Sequence, residues 1–169
     1  MAPAIMCQHG DVLLYLLPSA LLAIVIRILA RKHPFFFLFT AAGTACHELA
    51  HFMAGVLTGA RPQGLTIIPR RVDQHWQLGS VTLGRVRWYN AAPTALAPFV
   101  IIAIPLALAS WRTTPGWSFQ TMDIAIAFAL APQFLSFWPS TADWRIALRS
   151  WPYLFILTPL AWLAWRYWR

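Results

Sequence analysis

The sequence predicts an all-α polytopic membrane protein of about five transmembrane helices, with a small membrane-associated β-hairpin between the second and the third. Three observations carry this. Hydrophobic residues make up 59% of the 169-residue chain and charged residues only 11%, about half of the roughly 25% that a water-soluble domain carries. Apolar segments close to the ~20 residues needed to cross a bilayer recur five times. The basic residues stand mostly between those segments, where a membrane protein keeps them. A water-soluble shell and a disordered chain are both excluded by this composition. The net charge of +8 comes from 13 Lys and Arg against five Asp and Glu. Its clusters are too short and too separated to track phosphates, so no nucleic-acid partner is expected. The bilayer is the expected solvent, and residues 1–169 read as one membrane-embedded domain.

The first span runs from about Val12 to Ala30. It lacks the basic flank of a signal peptide, carries Asp11 before it and is longer than a signal core, so it reads as a retained helix. The second runs from about Pro34 to Leu57. The segment from Gly59 to Asn90 is too polar to span. Within it Gly64–Ile68 and Gln77–Tyr89 are rich in β-formers, which predicts a small hairpin at the membrane surface. The third span, about Ala91 to Ser110, contains Pro93, Pro98 and Pro105; the fourth, about Phe119 to Trp138, contains Pro132 and is closed by Pro139. Each internal proline frees a backbone carbonyl that must find a partner in hydrocarbon, so these helices should face protein or a wet cavity. The fifth runs from about Pro152 to Trp168. Tryptophans gather at the span ends as an interfacial belt. Cys7 and Cys46 form no disulfide framework.

One constellation carries chemistry. The second span contains His47-Glu48-Leu49-Ala50-His51, the H-E-x-x-H pattern on a helix. Residues four apart share a helix face, so two imidazoles there can converge on one Zn²⁺. Glu48 lies one step round the helix, placed to reach a water on the metal rather than the metal itself. It is the chain's only Glu, and ionisable groups inside a span are costly unless paired or bound. Gly43, His47, His51 and Gly55 form one stripe whose small members let other helices approach closely.

A third ligand must come from Asp73, His75, Asp123 or Asp143, because no second Glu exists and Ala54 and Leu57 break the longer three-histidine pattern. Topology separates the aspartates. Spans two and four run in the same direction, and the two histidines lie in the C-terminal half of span two. Asp143, just past the end of span four, is on their side; Asp123 begins that span, roughly 30 Å away by helix rise. Asp143 is therefore the expected ligand, with an N-cap for the helix near Trp144 as its other role. Asp73 and His75 are expected at the surface, and His9 and His33 as solvated flanking residues.

His47-Glu48-Leu49-Ala50-His51 in one span, with Phe137-Trp138-Pro139-Ser140-Thr141-Ala142-Asp143-Trp144 two spans later, resembles the site-2 protease family of intramembrane zinc metalloproteases. The resemblance covers a core of about residues 34–144, leaving helices at about 12–30 and 152–168 as accessory. It implies His47, His51 and Asp143 as zinc ligands, Glu48 as catalytic base, a β-loop where the hairpin falls, and Asn90 near the site. It implies a membrane protein or peptide as substrate and a site near the cytoplasmic face. Ala142-Asp143-Trp144 stands where the family has Leu-Asp-Gly, and Ala50 where it has Gly before the second His, so the resemblance is to a minimal or divergent member. The rival readings are a catalytically inactive membrane zinc protein that binds transmembrane segments without cleavage, and a metal transporter, for which the chain has too few intramembrane carboxylates.

Strict alternation of the spans places the N-terminus on the site's side. Seven basic residues then share that side (Arg61, Arg70, Arg71, Arg85, Arg87, Arg145, Arg149) and six the other (Arg27, Arg31, Lys32, Arg112, Arg166, Arg169), which leaves orientation open.

Overall fold

Helices built on the apolar segments pack around the helix Thr121–Ser136 in a computed structural model that describes residues 2–30, 37–72 and 75–168. The first helix, α1 (Ala2–Ala30), is followed by α2 (Phe37–Leu57), which ends where Gly59 takes a φ of 73°. Ala60 N–H bonds the Gly55 carbonyl and Gly59 N–H the Val56 carbonyl, a C-terminal lock that requires the left-handed residue glycine supplies. Four short strands follow: β1 (Pro62–Thr66), β2 (Arg70–Val72), β3 (His75–Gln77) and β4 (Ser80–Leu83). They form one nested hairpin, β2 against β3 toward the tip and β1 against β4 at the base, both antiparallel. The register slips once, between Pro62 and Gly64.

The hairpin expected from the β-formers is present, but its last strand stops at Leu83 and not at Tyr89. Trp88 and Tyr89 instead open α3 (Trp88–Ala95). The cause is Asn90. Its Oδ1 accepts from Arg87 N–H at 2.7 Å and its Nδ2 donates to the Arg85 carbonyl at 3.0 Å, and this capping turn overrides the strand preference of the aromatics. A 3₁₀ turn over Ala97–Ile102 and α4 (Ala103–Arg112) complete the third apolar segment. Then come α5 (Thr121–Ser136), α6 (Thr141–Ala147), a 3₁₀ turn over Leu148–Ser150 and α7 (Pro152–Tyr167).

Two helical stretches are long and apolar enough to cross a membrane, Gly10–Ala30 and Trp88–Arg112; a third is Thr121–Ser136 with Thr141–Ser150, taken as one span bent by 53°. The five expected spans are thus reduced to two or three by length and composition among the described residues. In α2 the 21 residues suffice, but His47, Glu48 and His51 interrupt the apolar run. In α7 there are 16 residues, about 24 Å of helix against a core of ~30 Å.

The helix α1 lies along α5 in the same direction. Tyr15 donates to Asp123 near the start of α5 at 2.9 Å, and Ala23 and Ile26 pack with Ala131 and Leu135 farther on. Strict alternation fails here: the N-terminal half of α1 sits at the Asp123 end, away from the histidines. Tyr15 explains the placement, because a buried hydroxyl needs a partner and Asp123 supplies one. The direction shared by α2 and α5 is as expected. They cross closely at Gly43, where a Cβ would overlap the Pro132 carbonyl and the Ser136 hydroxyl.

Candidate metal centre

Three side chains from two parts of the chain converge. His47 and His51 stand one turn apart on α2, their Nε2 atoms 3.1 Å from each other. Asp143 comes in from the first turn of α6, with Oδ2 at 3.6 Å from His47 Nε2 and Oδ1 at 3.3 Å from His51 Nε2. The group can hold a metal ion. Bonds of ~2.0–2.1 Å at a tetrahedral angle separate neighbouring ligand atoms by about 3.3 Å, and 3.1, 3.3 and 3.6 Å bracket that value.

The other face of each ring decides what the Nε2 atoms offer. His47 Nδ1 lies 2.6 Å from the Ser136 carbonyl and His51 Nδ1 2.8 Å from the Thr94 carbonyl. A carbonyl only accepts, so each Nδ1 carries a proton and, in the neutral ring, each Nε2 presents a lone pair. Two such lone pairs and a carboxylate, with no donor between them, repel one another unless a cation sits at their centre. A proton can satisfy one pair at a time; a divalent ion satisfies all three.

Both carbonyls are available because their helices break. In an α-helix the Thr94 carbonyl would accept from residue 98, which is Pro98 and has no N–H. The Ser136 carbonyl would accept from Ser140 N–H, but that group donates to Asp143 Oδ2 at 2.7 Å instead. Asp143 thus serves twice: one oxygen caps α6, with Ser140 Oγ accepting from Asp143 N–H at 3.2 Å in return, and both oxygens face the imidazoles. Pro93 acts like Pro98, freeing the Tyr89 carbonyl to accept from Tyr153 Oη–H. Thr94 is fixed further by its hydroxyl, 2.9 Å from that of Thr58, which donates to the Ala54 carbonyl.

Glu48 stands outside the ligand group and lines the same cavity, about 740 Å³, with Thr44, Leu135, Trp138, Ile146 and the hairpin from Gln77 to Val81. The hairpin rests on it. A Cβ at Gly79 would lie 2.6 Å from Glu48 Cγ and 2.9 Å from Oε1, so only glycine lets the turn close this far. Gly55 seats the base of the hairpin, with Leu83 and Pro62 over it.

The structure therefore brings together His47, His51 and Asp143, with Glu48 beside them. Asp123 is 2% exposed and bound elsewhere: Arg112 grips it from Nε and Nη2, both at 3.0 Å, and Gln120 N–H and Tyr15 Oη–H complete its shell. His75 belongs to β3; Asp73 and His33 lie outside the described residues. Asn90, placed near the site by resemblance, is fully buried and spent on capping α3. Sequence reasoning missed Gly79 and the two carbonyl partners. The signal for one was present, a proline four residues after Thr94. No family model, curated protein or solved structure matches the chain.

Proposed function

We propose that this chain is an intramembrane zinc metalloprotease of the site-2 protease type, cutting peptide bonds of membrane-associated proteins. The observation that carries the reading is the convergence of two Nδ1-tethered imidazoles and one carboxylate at tetrahedral ligand spacing. His47, His51 and Asp143 would hold the ion. Zinc held there would supply a Lewis acid that lowers the pKa of a bound water and polarises a carbonyl.

The chain's own residues supply the rest. Glu48, one step from His47 and facing the same cavity, accepts a proton from the attacking water and returns it to the leaving amine. Each sheet is two-stranded, so β4 keeps one edge without a strand partner among the described residues, and Ser80, Val81 and Leu83 line the cavity. An unwound substrate segment pairing along that edge would present its carbonyl in extended form. In this reading the broken α3–α4 segment and the bent α5–α6 pair cross the bilayer beside α2. The polar group in α2 then lies inside protein and not against lipid.

The test is Glu48→Gln with wild type, measured for zinc content and for cleavage of co-expressed single-span membrane proteins. One zinc per chain in both, with cleavage lost only in the variant, is expected. Full cleavage by the variant would overturn the mechanism, and wild-type protein without metal would overturn the site.

A further inference from the structure

We propose that the end of the molecule bearing the histidines carries a docking face for anionic phospholipid headgroups. Five exposed arginines are linked through the backbone of that end. Arg61 and Arg85 are neighbours at the base of the hairpin, where Gly84 N–H bonds the Arg61 carbonyl and Arg85 N–H the Ala60 carbonyl, both at 2.9 Å. Arg85 and Arg87 are gathered by the Asn90 side chain. The Ser150 hydroxyl accepts from Ala92 N–H at 2.7 Å and donates to the Trp88 carbonyl. That bridge ties Arg149 to the turn carrying Arg87, and Arg145 stands one turn earlier.

None of the five forms an ion pair among the described residues. The nearby carboxylates Glu48 and Asp143 are turned into the cavity. Between the arginines stand exposed rings, Trp88, Tyr89, Trp144 and Trp151 at 37–58% of full exposure, the residue types that settle at headgroup depth. Arginines interleaved with such rings fit a layer of lipid phosphates.

The opposite end differs. Arg112 is neutralised by Asp123, and Arg166 lies 5.4 Å from the centre of the Trp162 ring. The direction of α1 also moves Arg27, next to Ile26, to the histidine end. A basic-residue tally that is nearly even by alternation thereby becomes lopsided. The histidine end is the one that would face an anionic leaflet, and the conclusion does not depend on which ion the site holds.

Full-length protein in phosphatidylcholine vesicles containing a minority of phosphatidylglycerol, with one lipid or the other brominated, reads the contact through tryptophan quenching. We expect brominated phosphatidylglycerol to quench beyond its mole fraction. Each arginine is expected to contribute roughly five-fold to local enrichment, so Arg85, Arg87, Arg145 and Arg149 changed together to Gln should abolish the excess, and to Lys should keep it. In wild type alone, raising ionic strength from about 0.1 M to about 1 M should remove most of it. Quenching in proportion to mole fraction, or an excess unchanged by salt, overturns the proposal. So does loss of the excess on adding dilute inorganic phosphate at constant ionic strength, which would mark a small-anion site.

Discussion

Replacing Pro98 by Ala tests whether a missing N–H governs the metal site. The Thr94 carbonyl now accepts from His51 Nδ1 at 2.8 Å, and the residue four positions on cannot compete for it. Alanine restores that competitor. The new backbone bond is worth about 0.5–1.5 kcal/mol net, so the helix across Leu96 gains what the imidazole loses. Losing an outer-shell partner of this kind costs 10- to 100-fold in metal affinity, roughly 1.4–2.8 kcal/mol. The expected result is weaker zinc binding by that factor in chelator competition, a changed Co²⁺ absorption spectrum, and an apo-protein melting at or above the wild-type temperature. Pro105→Ala is the control, because Pro105 is equally buried in the same broken segment and four residues before it stands Ile101, with no histidine on its carbonyl. Wild-type affinity and spectrum in Pro98→Ala, or an equal loss in Pro105→Ala, would refute the reasoning.

Gly43→Ala should lower the unfolding temperature even though alanine favours helix by about 1 kcal/mol. The added methyl overlaps the Pro132 carbonyl, and overpacking against backbone costs about 1–3 kcal/mol. Gly79→Ala should leave zinc stoichiometry intact and, on the proposed mechanism, cut cleavage at least ~10-fold, since the new Cβ displaces Glu48, the proposed base; unchanged cleavage would show that the hairpin need not rest there. Asp123→Ala should destabilise by about 3–5 kcal/mol by leaving Arg112 unpaired, with zinc content of the folded fraction unaltered, and Arg112→Met in the same chain should recover much of the loss in a denaturation series. Asp143→Ala should lose zinc in elemental analysis while Asp123→Ala keeps it.

How far the sequence could be read depended on whether a feature was local. His47 and His51 were legible because four residues on a helix define a face. Asp143 was legible because two spans of equal direction end on one side. The hairpin followed from β-formers, but its end did not, because Asn90 turns Trp88 and Tyr89 into helix through bonds to Arg85 and Arg87 that no propensity encodes. The direction of α1 was not legible either. It depends on Tyr15 meeting Asp123 across 108 positions, and hydropathy fixes where a span lies, not what it lies against. Arg112 read as a loop cation for the same reason. The prolines gave half an answer: they announced that carbonyls would be free, and only the packing showed that Thr94 serves His51 and Tyr89 serves Tyr153.

The doubled employment of Asp143 bears on how quickly an ion would be captured. Its carboxylate is already immobilised by the Ser140 amide, and the rings opposite are already pinned by carbonyls. The freedom a trio of donors would forfeit on capture has been surrendered during folding. For an ion entering this group, shedding of its hydration shell, rather than closure of the protein around it, would be the slow event, and the centre would keep its shape between one ion and the next.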